Sequence, residues 1–171
     1  ELLSLFGSLK EDAKKAYDPD GTADFAKMLS MVNTDQVWAE PARLTARAFS
    51  AKGAPAYLYL FSYVSPSMKE RMRFGAAHAS EIPYVFDNLR DQNGATVAPK
   101  DREVAHLMNT YWANFAKTGN PNGKGLPEWR VYNPRKNRIF EFRADGSAAL
   151  VPDTRKVRLD VIEQAAKAKK Q

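Results

Sequence analysis

Residues 56–63, Ala56-Tyr57-Leu58-Tyr59-Leu60-Phe61-Ser62-Tyr63, limit the possible folds more than any other stretch. Strand geometry puts Tyr57, Tyr59 and Phe61 on one face and Leu58 and Leu60 on the other, so neither face is polar. A strand apolar on both sides belongs inside a sheet that helices cover on both faces. Helical patterns precede it, which predicts α/β architecture.

Only one other segment reads convincingly as a strand. Residues 138–143 alternate, with Phe140 and Phe142 on one face, and stop at Asp145-Gly146. Two strands cannot cover each other on both faces and both edges. The chain is therefore expected to be part of a larger sheet, incomplete on its own.

The rest of the pattern is mostly helical. Phe25, Met28, Leu29 and Val32 predict a short helix over 24–32. Asp35 is placed to cap a second helix running to about Ala51, kinked near Pro41. Residues 66–99 read as irregular, broken by Pro66, Gly75, Pro83, Gly94 and Pro99, with a strand-like Tyr84-Val85-Phe86. Over 100–118, Val104, Leu107, Met108, Tyr111, Trp112 and Phe115 trace one helical stripe, which Gly119 and Pro121 end. The long loop after it needs packing of its own, which Trp129 and Tyr132 can supply. A weak helix is expected over 160–170.

Composition narrows the chemistry. The chain has 171 residues, the size of one domain, and 44% hydrophobic content argues against global disorder. No apolar run is long enough to span a membrane. Cysteine is absent, which removes disulfides, thiolate zinc sites and a cysteine nucleophile together. With two histidines, no histidine-rich metal site is expected, and no cofactor. The lack of cysteine leaves the compartment unfixed, leaning to a secreted or periplasmic one. Glu1-Leu2-Leu3-Ser4-Leu5-Phe6 carries no secretion signal, and a start at Glu1 suggests processing or fragmentation. The net charge of +6 gathers late, at Arg130, Arg135, Lys136, Arg138, Arg143, Arg155, Lys156, Arg158, Lys167, Lys169 and Lys170. Such a run reads first as a solvated surface, and no nucleic-acid-binding motif accompanies it.

Histidine is the side chain best suited to proton transfer near neutrality. His106 lies off the apolar stripe of its helix and should face solvent. His78 sits among small residues in a loop after the two-sided strand, where an imidazole has room to face a cleft. Asp35 and Asp87 read as helix-cap and turn residues rather than as acids serving that histidine.

The segment Phe74-Gly75-Ala76-Ala77-His78-Ala79-Ser80-Glu81-Ile82-Pro83-Tyr84-Val85-Phe86 resembles the catalytic-histidine segment of type B carboxylesterases, the cholinesterase-like branch of the α/β-hydrolases. Tyr111-Trp112-Ala113-Asn114-Phe115-Ala116-Lys117-Thr118-Gly119-Asn120-Pro121-Asn122 resembles the same family's Trp-Asn-Phe signature. Thr34-Asp35, Pro41, residues 57–61, Leu126-Pro127-Glu128-Trp129 and Tyr132 agree in the same order. Two loop positions depart: Asp87 where the family often has glycine, and Arg130 where it often has proline.

The resemblance implies that residues 1–171 are the C-terminal segment of a single α/β-hydrolase domain, contributing its last core strands. It implies that His78 is the general base of a Ser-His-acid triad acting on a small carboxylic ester, with Glu81 supporting the loop. Phe74, Tyr84 and Phe86 flank His78 and could line the pocket. No G-x-S-x-G elbow is present, and the triad order of this fold is serine, acid, histidine. Nucleophile, oxyanion hole and acid would come from an N-terminal portion of the same protein. The alternative is a non-catalytic, cholinesterase-like binding or adhesion module.

Overall fold

The computed structural model describes residues 2–91 and 96–168. The expected break at Gly94 and the basic residues Lys169 and Lys170 lie outside the described residues. The chain divides into two compact units.

One unit comprises residues up to 58, 132–137 and those from 152 on. It holds a 3₁₀ segment, Leu2–Leu9, then α1 (Lys10–Tyr17), α2 (Phe25–Thr34), α3 (Glu40–Ala51) and α6 (Lys156–Ala168). Phe6, Ala13, Tyr17, Val32, Val161 and Ile162 form its core. Asp24 caps α2: its carboxylate accepts the Lys27 N–H at 3.0 Å. The expected cap at Asp35 is corrected, because the helix runs straight through it. Residues Asp35–Ala39 form a π-helical turn joining α2 to α3, and Pro41 falls in the first turn of α3. Asp35 is 1% exposed. It takes the Tyr17 hydroxyl at 3.0 Å and pairs with Arg158 Nε at 2.9 Å. Burial pushes its carboxyl up against the pull of Arg158 and Tyr17. A buried polar residue at a helix–helix junction carries the same letter as a cap, which is why sequence alone misassigns it. An ion network also ties α3 to α6: Arg43 meets Asp160 at 2.7 Å, and Arg47 meets Glu163 at 2.9 Å and Glu40 at 2.6 Å.

The other unit, residues 59–131 and 138–151, carries the sheet. Its order is β1 (Tyr59–Phe61), β2 (Arg138–Phe142), β3 (Ala148–Pro152). β1 and β2 are parallel, with Tyr59 opposite Phe140 and Phe61 opposite Phe142. The ladder runs on to Ser62, whose N–H donates to the Phe142 carbonyl at 2.8 Å. β2 and β3 are joined by a tight turn at Arg143–Ser147, too short for a parallel crossover. β3 is a third strand that the sequence did not reveal. β1 is half-buried, and among the described residues no strand lies on its other edge.

The long crossover between β1 and β2 contains α4 (Ile82–Val85) and α5 (Pro99–Thr118). The strand-like reading of residues 84–86 is corrected: Tyr84 and Val85 close a helical turn that begins at Ile82, with Pro83 in its first turn, and Tyr84 points inward. α5 matches its expected span and ends at Gly119 with φ +73°, the left-handed conformation that glycine adopts without steric cost. Val104, Met108 and Tyr111 bury its stripe. The loop after it is held by the signature residues themselves. Asn114 Nδ2 donates to the Pro121 carbonyl at 3.2 Å, and the Tyr111 hydroxyl to the Pro127 carbonyl at 2.6 Å. Trp129 is buried and stacks on Phe140 with ring centroids 4.8 Å apart. Among the described residues, no helix is long and apolar enough to cross a membrane.

Candidate active site

In open α/β sheets, ligands bind beyond the carboxyl ends of the strands. The chain leaving that end of β1 passes Tyr63 and Ser65, turns through Pro66–Met68, and arrives at His78. The His78 side chain lies on the surface. Its loop is shaped by local backbone bonds: the N–H of Ser80 donates to Ala77 O at 3.1 Å, and that of Ile82 to Ala79 O at 3.3 Å. Ala79, immediately after the histidine, has φ +65°. A residue with a Cβ costs roughly 1–2 kcal/mol in that conformation, so the turn stores strain beside the imidazole.

Glu81 ends the turn, half-buried, and accepts the Tyr59 hydroxyl at 3.3 Å. Burial and then the Glu81 charge push the Tyr59 phenol up to about 12. The Tyr59 ring meets those of Trp112 at 5.1 Å, Trp129 at 5.8 Å and Phe142 at 6.2 Å, all edge-on. The histidine loop is thus tied to the packed centre of its unit.

The three aromatics flanking His78 separate. Tyr84 is 7% exposed and packs on Phe61 at 5.3 Å and Tyr63 at 5.8 Å. Phe74 and Phe86 are 46% and 67% exposed, and the Arg73 guanidinium covers the Phe74 ring at 4.8 Å. A cavity of about 570 Å³ opens beside the loop, lined by Phe61, Tyr63, Met72, Ser80 and Tyr84 among others; Phe74 and Phe86 do not reach it. His106 is exposed, as expected, with Nδ1 3.8 Å from the Asp87 carboxylate. Asp87 has φ +48°, in keeping with a turn residue.

One residue of this region escaped the sequence reading. Asp101, 3% exposed, sits in the first turn of α5 and collects four donors. The Tyr63 hydroxyl approaches at 2.8 Å, Ser65 Oγ at 2.9 Å, the Ala98 N–H at 3.1 Å and the Tyr84 hydroxyl at 3.5 Å. It closes the α5 N-terminus in the manner of a capping-box acid and pins the chain leaving β1 to α4 and α5. Pro99 two residues earlier was the available signal. Burial, followed by the Asp101 carboxylate, drives the Tyr63 and Tyr84 phenols far above their ordinary range. No group of three or more possible metal ligands occurs among the described residues.

Comparison with known proteins points to one family. A family model described as "Carboxylesterase family" covers residues 5–160. Human cocaine esterase is 34% identical over 114 residues, covering 65% of this chain and 19% of that protein. Human neuroligin-3 is 32% identical over 152 residues, covering 75% and 18%. Among solved structures, a Geobacillus stearothermophilus carboxylesterase is 30% identical with a TM-score of 0.69, covering 91% of this chain and 31% of that one. A PNB esterase superposes with a TM-score of 0.71 at 25% identity, covering 94% and 31%. The chain spans about a fifth of the length of these curated relatives and under a third of each of these two solved structures. Its sheet and helices are a partial α/β-hydrolase fold.

Proposed function

The chain belongs to the carboxylesterase family, and on that premise we propose that it is the C-terminal segment of a carboxylic ester hydrolase to which it supplies the general base, His78. The remainder of the same protein supplies the serine nucleophile, oxyanion hole and acid. The observation that carries the reading is an accessible imidazole, in the chain that follows the carboxyl end of β1, next to a strained Ala79.

A serine hydroxyl is a weak nucleophile until a base takes its proton. His78 accepts that proton as the serine oxygen bonds to the ester carbonyl carbon, then gives it to the departing alkoxide as the C–O bond breaks. The acyl-enzyme is hydrolysed by water through the same imidazole, and the acid keeps the ring in its working tautomer. Glu81 braces the loop and takes no proton. Tyr84, on the wall of the cavity beside the loop, and the exposed Phe74 and Phe86, which flank His78 in the sequence, are surfaces for the acyl or alcohol group.

The test is hydrolysis of a p-nitrophenyl ester by the complete polypeptide. His78→Ala should lower kcat/KM by at least about a thousandfold while the protein stays folded. Near-normal turnover in the folded variant overturns the assignment. A complete protein that neither hydrolyses the ester nor is labelled by an organophosphonate favours the non-catalytic binding module instead.

A further inference from the structure

We propose that Tyr59 is a positioning residue for this reaction, fixing the His78 turn to the sheet through its hydrogen bond to Glu81. The inference rests on the reading of His78 as general base, and it names a residue that the sequence places only among strand aromatics.

Three observations lead to it. First, the backbone bonds that shape the loop are local: Gly75 N–H to Met72 O, Ser80 N–H to Ala77 O, and Ile82 N–H to Ala79 O. They shape the turn from within. Second, that turn carries a left-handed alanine directly after the histidine. Strain of this kind persists only when surrounding structure over-determines the conformation. Third, Glu81, two residues past the strained alanine, receives a hydroxyl from β1. Tyr59 is held by its register with Phe140 and by three aromatic neighbours, so the donor is delivered from a fixed base. A phenol raised to about 12 also stays protonated, and remains a donor, throughout the neutral range.

Without this bond the turn keeps its internal bonds but gains freedom to relax away from the strained φ of Ala79, carrying the imidazole with it. Small displacements of a base from its line of proton transfer are costly in rate. Replacing Ala79 by glycine removes the steric reason to relax, so it should compensate for loss of the tether.

The experiment compares His78→Ala, Tyr59→Phe, Glu81→Gln and Tyr59→Phe/Ala79→Gly in the complete polypeptide, with p-nitrophenyl acetate as the probe. Tyr59→Phe should lower kcat about tenfold with KM within about twofold. The Ala79→Gly change on that background should restore at least about a third of the lost rate. Glu81→Gln should weaken the same tether and show the same split, and it serves as the readout if Tyr59→Phe does not fold. An inactive His78→Ala with a fully active Tyr59→Phe overturns the positioning role alone. An active His78→Ala overturns the general-base reading as well. A kcat loss that follows thermal stability and is not rescued by Ala79→Gly makes Tyr59 merely structural and overturns the proposal.

Discussion

Asn122 grips both backbone polar groups of Trp129: its Oδ1 accepts the Trp129 N–H at 2.7 Å and its Nδ2 donates to the Trp129 carbonyl at 2.9 Å. One side chain thereby sets the place of the indole that stacks on Phe140 at the centre of the sheet unit.

Asn122→Ala strands both groups at once. It should destabilise the protein by about 2–3 kcal/mol, read as a shift of the urea midpoint. Asn122→Asp keeps the acceptor but sets a carboxylate against the Trp129 carbonyl, and should not recover the loss.

Asp101→Ala leaves the Tyr63 and Ser65 hydroxyls and the Ala98 N–H without their shared acceptor. Several kcal/mol should be lost, on the order of 3. Asp101→Asn keeps the shape but turns one acceptor into a donor facing donors, so thermal denaturation should place it well below the parent.

The Asp35–Arg158 pair tests a different balance. Removing one partner leaves a charge in a dry site, and Arg158→Met should cost about 3–5 kcal/mol. The apolar double replacement Asp35→Leu/Arg158→Met should recover much of that. A double variant as unstable as the sum of the singles, by chemical denaturation, contradicts this account.

Acid sensitivity should appear in the α3–α6 network. Partial burial disfavours ionisation of Asp160 and Glu163, but bonds from Lys156 and Arg43 to one, and from Lys167 and Arg47 to the other, hold both carboxyls below the usual range. Groups lowered in the folded state bind fewer protons there than in the unfolded chain, so their contribution is present above about pH 4 and fades as pH falls through the folded values. Glu163→Gln should flatten the acid limb of melting temperature against pH. Glu40 has the opposite sign: burial outweighs its arginine partners and raises it, so its contribution fades as pH rises through its folded value.

How much was readable in advance depended on how local each cause is. The α5 stripe and its Gly119 stop are determined within a few residues of themselves, and the sequence displays them. Tyr111, Asn114, Asn122 and Trp129 were recognisable as a signature, but their purpose, a set of side-chain bonds to loop carbonyls and amides, becomes visible only in three dimensions. Asp35 misled because burial beside Tyr17 and Arg158 arises from partners 18 and more residues away. Residues 148–152, two alanines, Leu150, Val151 and Pro152, are too few and too small to announce a strand. The opening helices were legible in principle, since Phe6, Leu9, Ala13 and Tyr17 recur at spacings of three and four. At the site, His78 and Glu81 stood out in sequence, whereas Tyr59 meets Glu81 across 22 residues and Asp101 gathers the Ser65 and Tyr63 hydroxyls across 36 and 38.

Among the described residues no strand covers the outer margin of β1, and that has a consequence for association. A row of amides and carbonyls facing outward welcomes any extended segment of fitting shape. While uncovered, that seam is open to a second copy of the same segment, and association competes with folding. Anything that covers this margin therefore also guards against self-association.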